Sequence, residues 1–455
     1  MLVDCTDWPA DPAFADLFRV LAPDNVLRLA QRQRRETDRS AGGTWSRCQV
    51  IEALYDPGKH VRIAYALHGD HSIQPRRTWP EAEIIYVRYP VRIPMSRRGW
   101  VVTDRGFSME FYRFPNDRRL RGLRKFTGRA DAAALWQRWL NQDEPGLDLE
   151  PDSLRRALMR YVPEQKWIVQ LRAQCRDHVA EETVKRAIAV RSADSESCRA
   201  LYDRTLDVRR ALVNTERGFR VPKPVALDHR LGLLAVQWMW GRSLLDSLLH
   251  GDPTEILGRV ADALQIFHKA PIENLTPLDP GSYLKSAEVC AADIHTVLSA
   301  LTPLVHSIID SLKRHVPQGD ASLHGPIHND FHWNQLQLKR DRVTILDLER
   351  CAWGDPLVDV ATFVTQLSVL DVRDDLGVTG ESASQWAETF LRVWESTTGC
   401  QVHVGRLRWY SAVALLVLAR GTLRHLRSHW PARTQRYLQR AFMTLNSPQS
   451  LKGAV

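Results

Sequence analysis

Apolar positions along this chain recur first with the period of a helix, then with that of strands, and then with that of helices again. Phe14, Leu17, Phe18, Val20 and Leu21 form one helical stripe, and Asn25 to Arg34 suits a second helix, so residues 1 to about 40 are expected to be helical. Ala41-Gly42-Gly43 marks a break. Val50 to Tyr55 and Val61 to Tyr65 flank Pro57-Gly58, whose dihedral preferences favour a turn, and together they read as strand, turn, strand. Ile84-Ile85-Tyr86-Val87, Trp100-Val101-Val102 and Phe111 to Asp117 are further strand candidates. Ala130 to Asn141 predicts a helix that runs into the acidic linker Asp143 to Glu150.

The pattern of apolar run, Tyr-x-Pro, basic residue and apolar run then returns in Leu158 to Leu171, a short echo of the kind any two hairpins share. Thr183 to Arg191 predicts another strand, with a helix after Ser192. From Leu244 onward the periodicity is mainly helical. Ile256, Leu257, Val260, Leu264, Ile266 and Phe267 keep helical spacing until His268-Lys269-Ala270-Pro271, where Pro271 stops the helix. Leu298 to Val316 predicts a further helix, and others are expected at about 359 to 370, 384 to 398, 404 to 428 and 432 to 445. The fold class is α+β. A chain of 455 residues exceeds what one core supports, and three domains are expected: a helical and β-rich cap over 1–150, a β-rich lobe over 151–240 and a helical lobe over 241–455.

Composition narrows the class. A charged fraction of 25% and a hydrophobic fraction of 44% are those of a soluble globular protein. Met1-Leu2-Val3-Asp4-Cys5 leads into acids and prolines rather than a basic and then apolar stretch, so no signal peptide is expected. The longest apolar stretch, Ala412 to Ala419, is too short to span a bilayer. Seven scattered cysteines without a Cys-x-x-Cys pair read as free thiols in a reducing compartment, and the cytoplasm is the expected location. The net charge of +9 draws on clusters at Arg32 to Arg35, Arg97-Arg98 and Arg118 to Lys125. Without a zinc spacing or an aromatic RNA-binding signature, these clusters read as solvated faces and nucleic acid is not the expected partner.

Three polar clusters carry the chemistry. Ile327-His328-Asn329-Asp330-Phe331-His332-Trp333-Asn334-Gln335 is followed by Ile345-Leu346-Asp347-Leu348-Glu349-Arg350 and by Gly354-Asp355-Pro356. Moving a γ-phosphoryl group to a hydroxyl needs a carboxylate that orients the hydroxyl and takes its proton, with hard oxygen ligands for Mg²⁺. Asp330 suits the base. Asp347 ends the apolar run Val343, Ile345, Leu346 and suits the metal carboxylate, while Gln335 and Asn334 are both candidates for a second metal oxygen. Trp333 reads as packing, and His332 is open between packing and site.

These residues resemble the aminoglycoside phosphotransferase and choline kinase group, whose loops read His-Gly-Asp-x4-Asn, then Ile-Asp-Trp-Glu, then Gly-Asp-Pro and Asp-Leu-Ala. His328, Asp330, Asp347, Gly354, Asp355, Pro356 and Asp359-Val360-Ala361 fall on those positions. Asn329 stands at the usual Gly and Gln335 at the usual Asn. The resemblance implies a protein-kinase-like bilobal fold and an ATP- and Mg²⁺-dependent kinase acting on a small sugar-like or amino-alcohol hydroxyl acceptor. It also implies that His328 shapes the loop, that Asp359 accepts hydrogen bonds from the catalytic-loop backbone, and that His268 is structural. On the nucleotide side it points to Lys185 for the phosphates, with Arg191 on the same strand face, and to Lys166 in the hairpin Pro163 to Lys166. The backbone of Gln237, Trp238 and Met239 is expected at the adenine edge. A cap ahead of such a lobe resembles the arrangement of bacterial maltokinases and related sugar kinases.

Two other readings stand beside this one. A pseudokinase that binds nucleotide without turnover would tolerate the Gln at position 335, and a basic scaffold would bind polyanions in a salt-dependent way. Asp371, Asp374, Asp375 and Glu381 would favour a cationic acceptor if they lined the cleft, and would be a solvated turn otherwise.

Overall fold

The computed structural model describes residues 8–446 apart from 10, 15, 38–44, 70–81, 92–98, 213–218 and 319–322. The expected break at Ala41-Gly42-Gly43, the pair Arg97-Arg98 and the first five residues lie outside the described residues. In chain order the elements begin with α1 Leu17–Val20, α2 Pro23–Thr37, β1 Trp45–Asp56, β2 His60–Gly69, β3 Glu83–Tyr89, β4 Trp100–Asp104, β5 Phe107–Arg113, α3 Arg129–Asp143 and β6 Leu147–Leu149. There follow β7 Arg155–Val162, β8 Lys166–Asp177, β9 Glu182–Ser192, α4 Ser195–Ala211, β10 Phe219–Arg220, β11 Pro224–Asp228, β12 Leu233–Gln237 and β13 Arg242–Ser243. The rest of the chain contributes α5 Leu244–His250, α6 Pro253–Lys269, α7 Pro280–Val297, α8 Thr302–Arg314, β14 Gly325–Ile327, β15 Leu336–Lys339, β16 Arg342–Ile345, β17 Ala352–Gly354, α9 Leu357–Ser368, α10 Gly380–Thr398, α11 Val404–Arg424 and α12 Trp430–Asn446.

These elements form two compact units. One comprises Met1–Tyr202, Pro224–Trp238 and Leu423–Trp430; the other comprises Asp203–Lys223, Met239–Thr422 and Pro431–Val455.

The first unit holds two antiparallel sheets. One runs β1-β2-β3-β5-β4, and the other runs β11-β12-β9-β8, with β6 and β7 both pairing β8. Alternation in β2 and β3 sends Val61, Ile63, Tyr65, Ile85 and Val87 to one face and Ala64, Ile84, Tyr86 and Arg88 to the other. On the first face, the Tyr65 hydroxyl donates to the Leu21 carbonyl at 2.6 Å. On the second, Ala64, Ile84, Tyr86 and Tyr112 share one apolar core with Phe126, Trp136, Trp167, Val169, Val190 and Ala235. The expected boundary near residue 150 therefore falls inside a continuous core, and the residues before it are one body with the sheet that follows.

The second unit is mainly helical. Its small sheet runs β10-β16-β15-β13, with β10 parallel to β16, and β14 pairs β17. α6 ends as its sequence predicts, while α7 is an element the apolar periodicity did not announce. Its buried positions are Ala287, Cys290, Ala291, Ile294 and Val297, mostly too small to stand out as a hydrophobic stripe. The available signal was the cap: Asp279 accepts from the Ser282 N–H at 2.8 Å, and Pro280 occupies the first turn. No helix among the described residues is long and apolar enough to cross a membrane. None of the six described cysteines forms a disulfide.

Candidate active site

The loop after β14 is held by a buried carboxylate. Asp359, fully buried in the first turn of α9, accepts the N–H of His328 at 2.7 Å and of Asn329 at 2.8 Å. The same carboxylate accepts from His268 Nε2 at 3.0 Å, so the end of α6, the start of α9 and the loop meet at one charge. Both roles implied for Asp359 and His268 are seen in these bonds. β14 approaches α6 so closely that a Cβ on Gly325 would lie 2.7 Å from the His268 carbonyl oxygen, a separation that only glycine permits.

His328 is buried and its Nε2 donates to the Leu346 carbonyl at 2.8 Å. That bond fastens the Asp330 loop to the residue just before Asp347. A second link lies one strand over, where the Leu346 N–H donates to the Gln335 carbonyl at 2.9 Å, continuing the β15–β16 ladder. Asp330 and Asp347 are both half-buried. Asn329 and Asp347 have left-handed φ values of +60° and +54°. That conformation is the one an asparagine tolerates best among residues with a Cβ, which accounts for Asn where the resemblance has Gly. The Asn329 carboxamide oxygen accepts from the Tyr283 hydroxyl at 2.9 Å, and the Tyr283 ring meets Tyr410 edge to face at 5.6 Å.

Of the two amides proposed for the metal, Gln335 is half-buried and joined through its backbone to the residue preceding Asp347, while Asn334 is exposed. The N–H of Asn334 donates to His332 Nδ1 at 3.2 Å. Burial, with His328 nearby, pushes the His332 imidazole down to about 4, so it is a neutral acceptor near neutral pH. Trp333 is buried with the Arg373 guanidinium 5.5 Å from its ring centre, a packing role as expected. Among the described residues no three His, Cys, Asp or Glu side chains form a metal-holding group. One carboxylate and one amide oxygen nonetheless suit Mg²⁺, which takes few protein ligands and fills its octahedron with water and phosphate oxygens.

Two of the four acidic residues weighed for a cationic acceptor, Asp371 and Asp375, are paired with arginines. Asp371 is paired with Arg440 at 3.0 Å, and Asp375 with Arg373 at 3.0 Å and Arg433 at 3.7 Å, so arginines neutralise these carboxylates. Asp355 likewise accepts from Arg406 Nε at 3.0 Å and from the Leu357 N–H at 3.0 Å, capping α9.

In the other unit, Lys185 is exposed on β9 opposite Gln174. Arg191, six residues on, shares its face and sits opposite Ile168, two residues from Lys166. Lys166 and Arg191 are thus neighbours on the sheet face away from the core, while Lys185 is roughly 20 Å along the strand from Arg191. The sequence expectation favoured Lys185, and the register brings Arg191 beside Lys166 instead. The alternation Ile188-Ala189-Val190-Arg191, with its cation two residues from an alanine opposite Gln170, was the usable signal. Gln237 ends β12 opposite Ile188, and the Trp238 N–H donates to the Ala187 carbonyl at 2.9 Å. That N–H is spent on the sheet, which removes it as a donor to adenine.

Residues 179–401, just under half of the chain, match the model of the phosphotransferase enzyme family APH. The matched segment takes in the Asp330 and Asp347 loops. The phosphotransferase reading of the Asp330 and Asp347 loops and the family match cover the same stretch, and the chain is accordingly a phosphotransferase of the kind that acts on small-molecule hydroxyls. No curated protein matches the chain. Among solved structures, the phosphotransferase is similar to a choline/ethanolamine kinase family protein from Mesorhizobium loti, with a TM-score of 0.43 and 13% identity over 64% of this chain and 89% of the other. An amicoumacin kinase in complex with AMP-PNP, Ca²⁺ and Ami gives 0.47 and 12% over 67% and 93%. A spectinomycin phosphotransferase in complex with ADP and spectinomycin gives 0.47 and 10% over 71% and 99%.

Proposed function

We propose that this chain transfers the γ-phosphoryl group of ATP, with Mg²⁺, to a hydroxyl of a small sugar-like or amino-alcohol acceptor. The observation that carries this reading is the brace between two carboxylate-bearing loops: His328 Nε2 to Leu346 O and Leu346 N–H to Gln335 O, with Asp359 holding the first loop. Such bracing fixes Asp330 and Asp347 at adjoining loop ends, and positioned carboxylates are the main protein contribution to phosphoryl transfer. In the reaction the acceptor oxygen bonds to the γ-phosphorus, the bond from that phosphorus to the ADP oxygen breaks, and Asp330 takes the hydroxyl proton. Asp347 is assigned as the main metal ligand and Gln335 as the second, with Asn334 left to shape the turn through His332. Bound Mg²⁺ would supply neutralisation of phosphate charge. Lys166 and Arg191 are assigned to the phosphates ahead of Lys185, and the Gln237 to Met239 backbone to adenine through groups other than the Trp238 N–H.

A thermal-shift titration with ATP, with and without Mg²⁺, tests the reading, because a ligand that binds only the folded state raises the melting temperature. A Mg²⁺-dependent rise that Asp347→Ala removes is expected, and no rise with nucleotide would refute the proposal. A nucleotide-binding protein without turnover is the second reading. It is favoured by the exposure of Lys185 and by Gln335 at the amide position, and phosphorylated product from any acceptor would end it.

A further inference from the structure

The β7–β8 turn is the part of the first unit that would lie over a nucleotide, and it has a construction of its own. In protein kinases the loop in this place is rich in glycine and closes over the phosphates. Here Arg155 to Asp177 contains no glycine at all, and the turn is buried on one side. Glu164, at its tip, has φ +61° and is 4% exposed. Its carboxylate lies 3.0 Å from Arg88 Nε and 3.7 Å from Arg62 Nη1, both on the β1–β5 sheet. The Arg88 N–H is not aimed along the shorter contact, so the attraction is between charges and not a formed hydrogen bond.

The backbone of the same residue is held independently. The Glu164 N–H donates to Asp117 Oδ2 at 3.1 Å, and the Tyr161 hydroxyl donates to that oxygen at 2.8 Å. Asp117 is fully buried and is itself fixed by the N–H groups of Arg119 at 2.8 Å and Leu120 at 3.0 Å on its other oxygen. Tyr161 packs edge-on against Phe114 at 5.5 Å. The exposed Gln165 and half-buried Lys166 follow directly, so the turn gives one side to the amino-terminal sheet and keeps the other outward.

We propose that the amino-terminal sheet is a nucleotide-positioning device: Asp117, Arg62 and Arg88 hold Glu164 so that the turn presents Lys166 in one preset shape, in place of a flexible loop that closes on binding. This rests on the nucleotide reading given above. A turn that is already ordered loses less conformational freedom when it meets phosphate, which strengthens binding without any added contact. Glu164 and Asp117 are positioning residues in this scheme, since neither reaches the reacting atoms.

The test compares ATP affinity, KM for ATP and kcat in wild type, Glu164→Gln and Tyr65→Phe, with hydrogen exchange of amides 162–167 in the free wild-type protein. Tyr65→Phe removes a buried hydrogen bond from the opposite face of the same sheet. The expected result is that wild-type amides at the turn exchange as slowly as those of β8. Glu164→Gln should raise KM for ATP about tenfold and leave kcat within about twofold. Tyr65→Phe should lower the melting temperature and leave KM unchanged. Fast exchange at the wild-type turn would overturn the inference, even if Glu164→Gln does not fold. So would wild-type KM in Glu164→Gln while the wild type binds ATP, in which case the nucleotide reading stands. If the wild type binds no nucleotide, both fall together.

Discussion

Replacing Asp359 with asparagine removes one oxygen acceptor from a site where three donors converge. Oδ2 takes the His328 N–H at 2.7 Å and His268 Nε2 at 3.0 Å, and Oδ1 takes the Asn329 N–H at 2.8 Å. An amide keeps one oxygen, so whichever way it turns, its NH₂ faces at least one of these donors. Hydrogen bonds to a charged acceptor contribute about 1.5–3 kcal/mol each, and a buried donor left unpaired costs about 1–3 kcal/mol. In the better flip one such bond is lost and one donor is opposed, which should cost about 3–5 kcal/mol, a large share of the roughly 5–15 kcal/mol typical of a folded protein. Because these bonds hold the backbone immediately before Asp330, turnover should fall about a hundredfold even where the protein stays folded, the penalty expected for a displacement of about 1 Å. Urea unfolding followed by tryptophan fluorescence, with kcat measured well below the midpoint, checks both numbers. A variant within about 0.5 kcal/mol of wild type and with wild-type kcat would show that Asp359 does not hold the loop.

Asp330→Asn should abolish turnover while leaving Mg²⁺-dependent ATP binding within about twofold, and wild-type turnover would remove Asp330 as the base. Tyr283→Phe leaves the Asn329 carboxamide oxygen without its 2.9 Å donor and should cost about 1 kcal/mol, read as a shift in the urea midpoint; no shift would mean water replaces the hydroxyl at no cost. Burial works against ionisation of Asp56, but His60 and Arg424 outweigh it and hold the carboxyl at about 2, below its ordinary 3.8. The folded value is the lower one, so this stabilisation is present above pH ~4 and is lost as pH falls towards ~2, amounting to about 2 kcal/mol. Stability measured across that range should fall less steeply in Asp56→Asn, and parallel curves would contradict the assignment.

The loops proposed for catalysis were legible because their residues lie within about thirty positions of one another and their hydrogen bonds are local. His328, Asp330, Asp347 and Asp359 could be assigned without knowing any distant contact. The nucleotide side was harder to read. Choosing between Lys185 and Arg191 requires knowing that Ile168 pairs with Arg191, a register that no short stretch of sequence contains. The clamp on Glu164 is less legible still, since Arg62, Arg88, Asp117 and Glu164 come from four separate segments and each alone resembles a surface charge. The pairing of Asp371 with Arg440 and of Asp375 with Arg433 was hidden for the same reason, because these arginines lie about sixty to seventy residues away, although Arg373 beside Asp375 is local.

The first unit is closed by a segment from near the other end of the chain. His425 Nδ1 meets Glu52 Oε1 at 2.9 Å across 373 positions, and Arg424 pairs with Asp56 at 2.5 Å. A chain emerging from the ribosome displays β1 and β2 long before these partners exist, and must carry Glu52 without His425, and Asp56 with only the neighbouring His60 and Arg62, until some 370 further residues have been made. At about 5–20 residues per second that interval lasts roughly 20 to 70 seconds, so in the cell the completion of this sheet is timed by translation and not by the folding of its own strands.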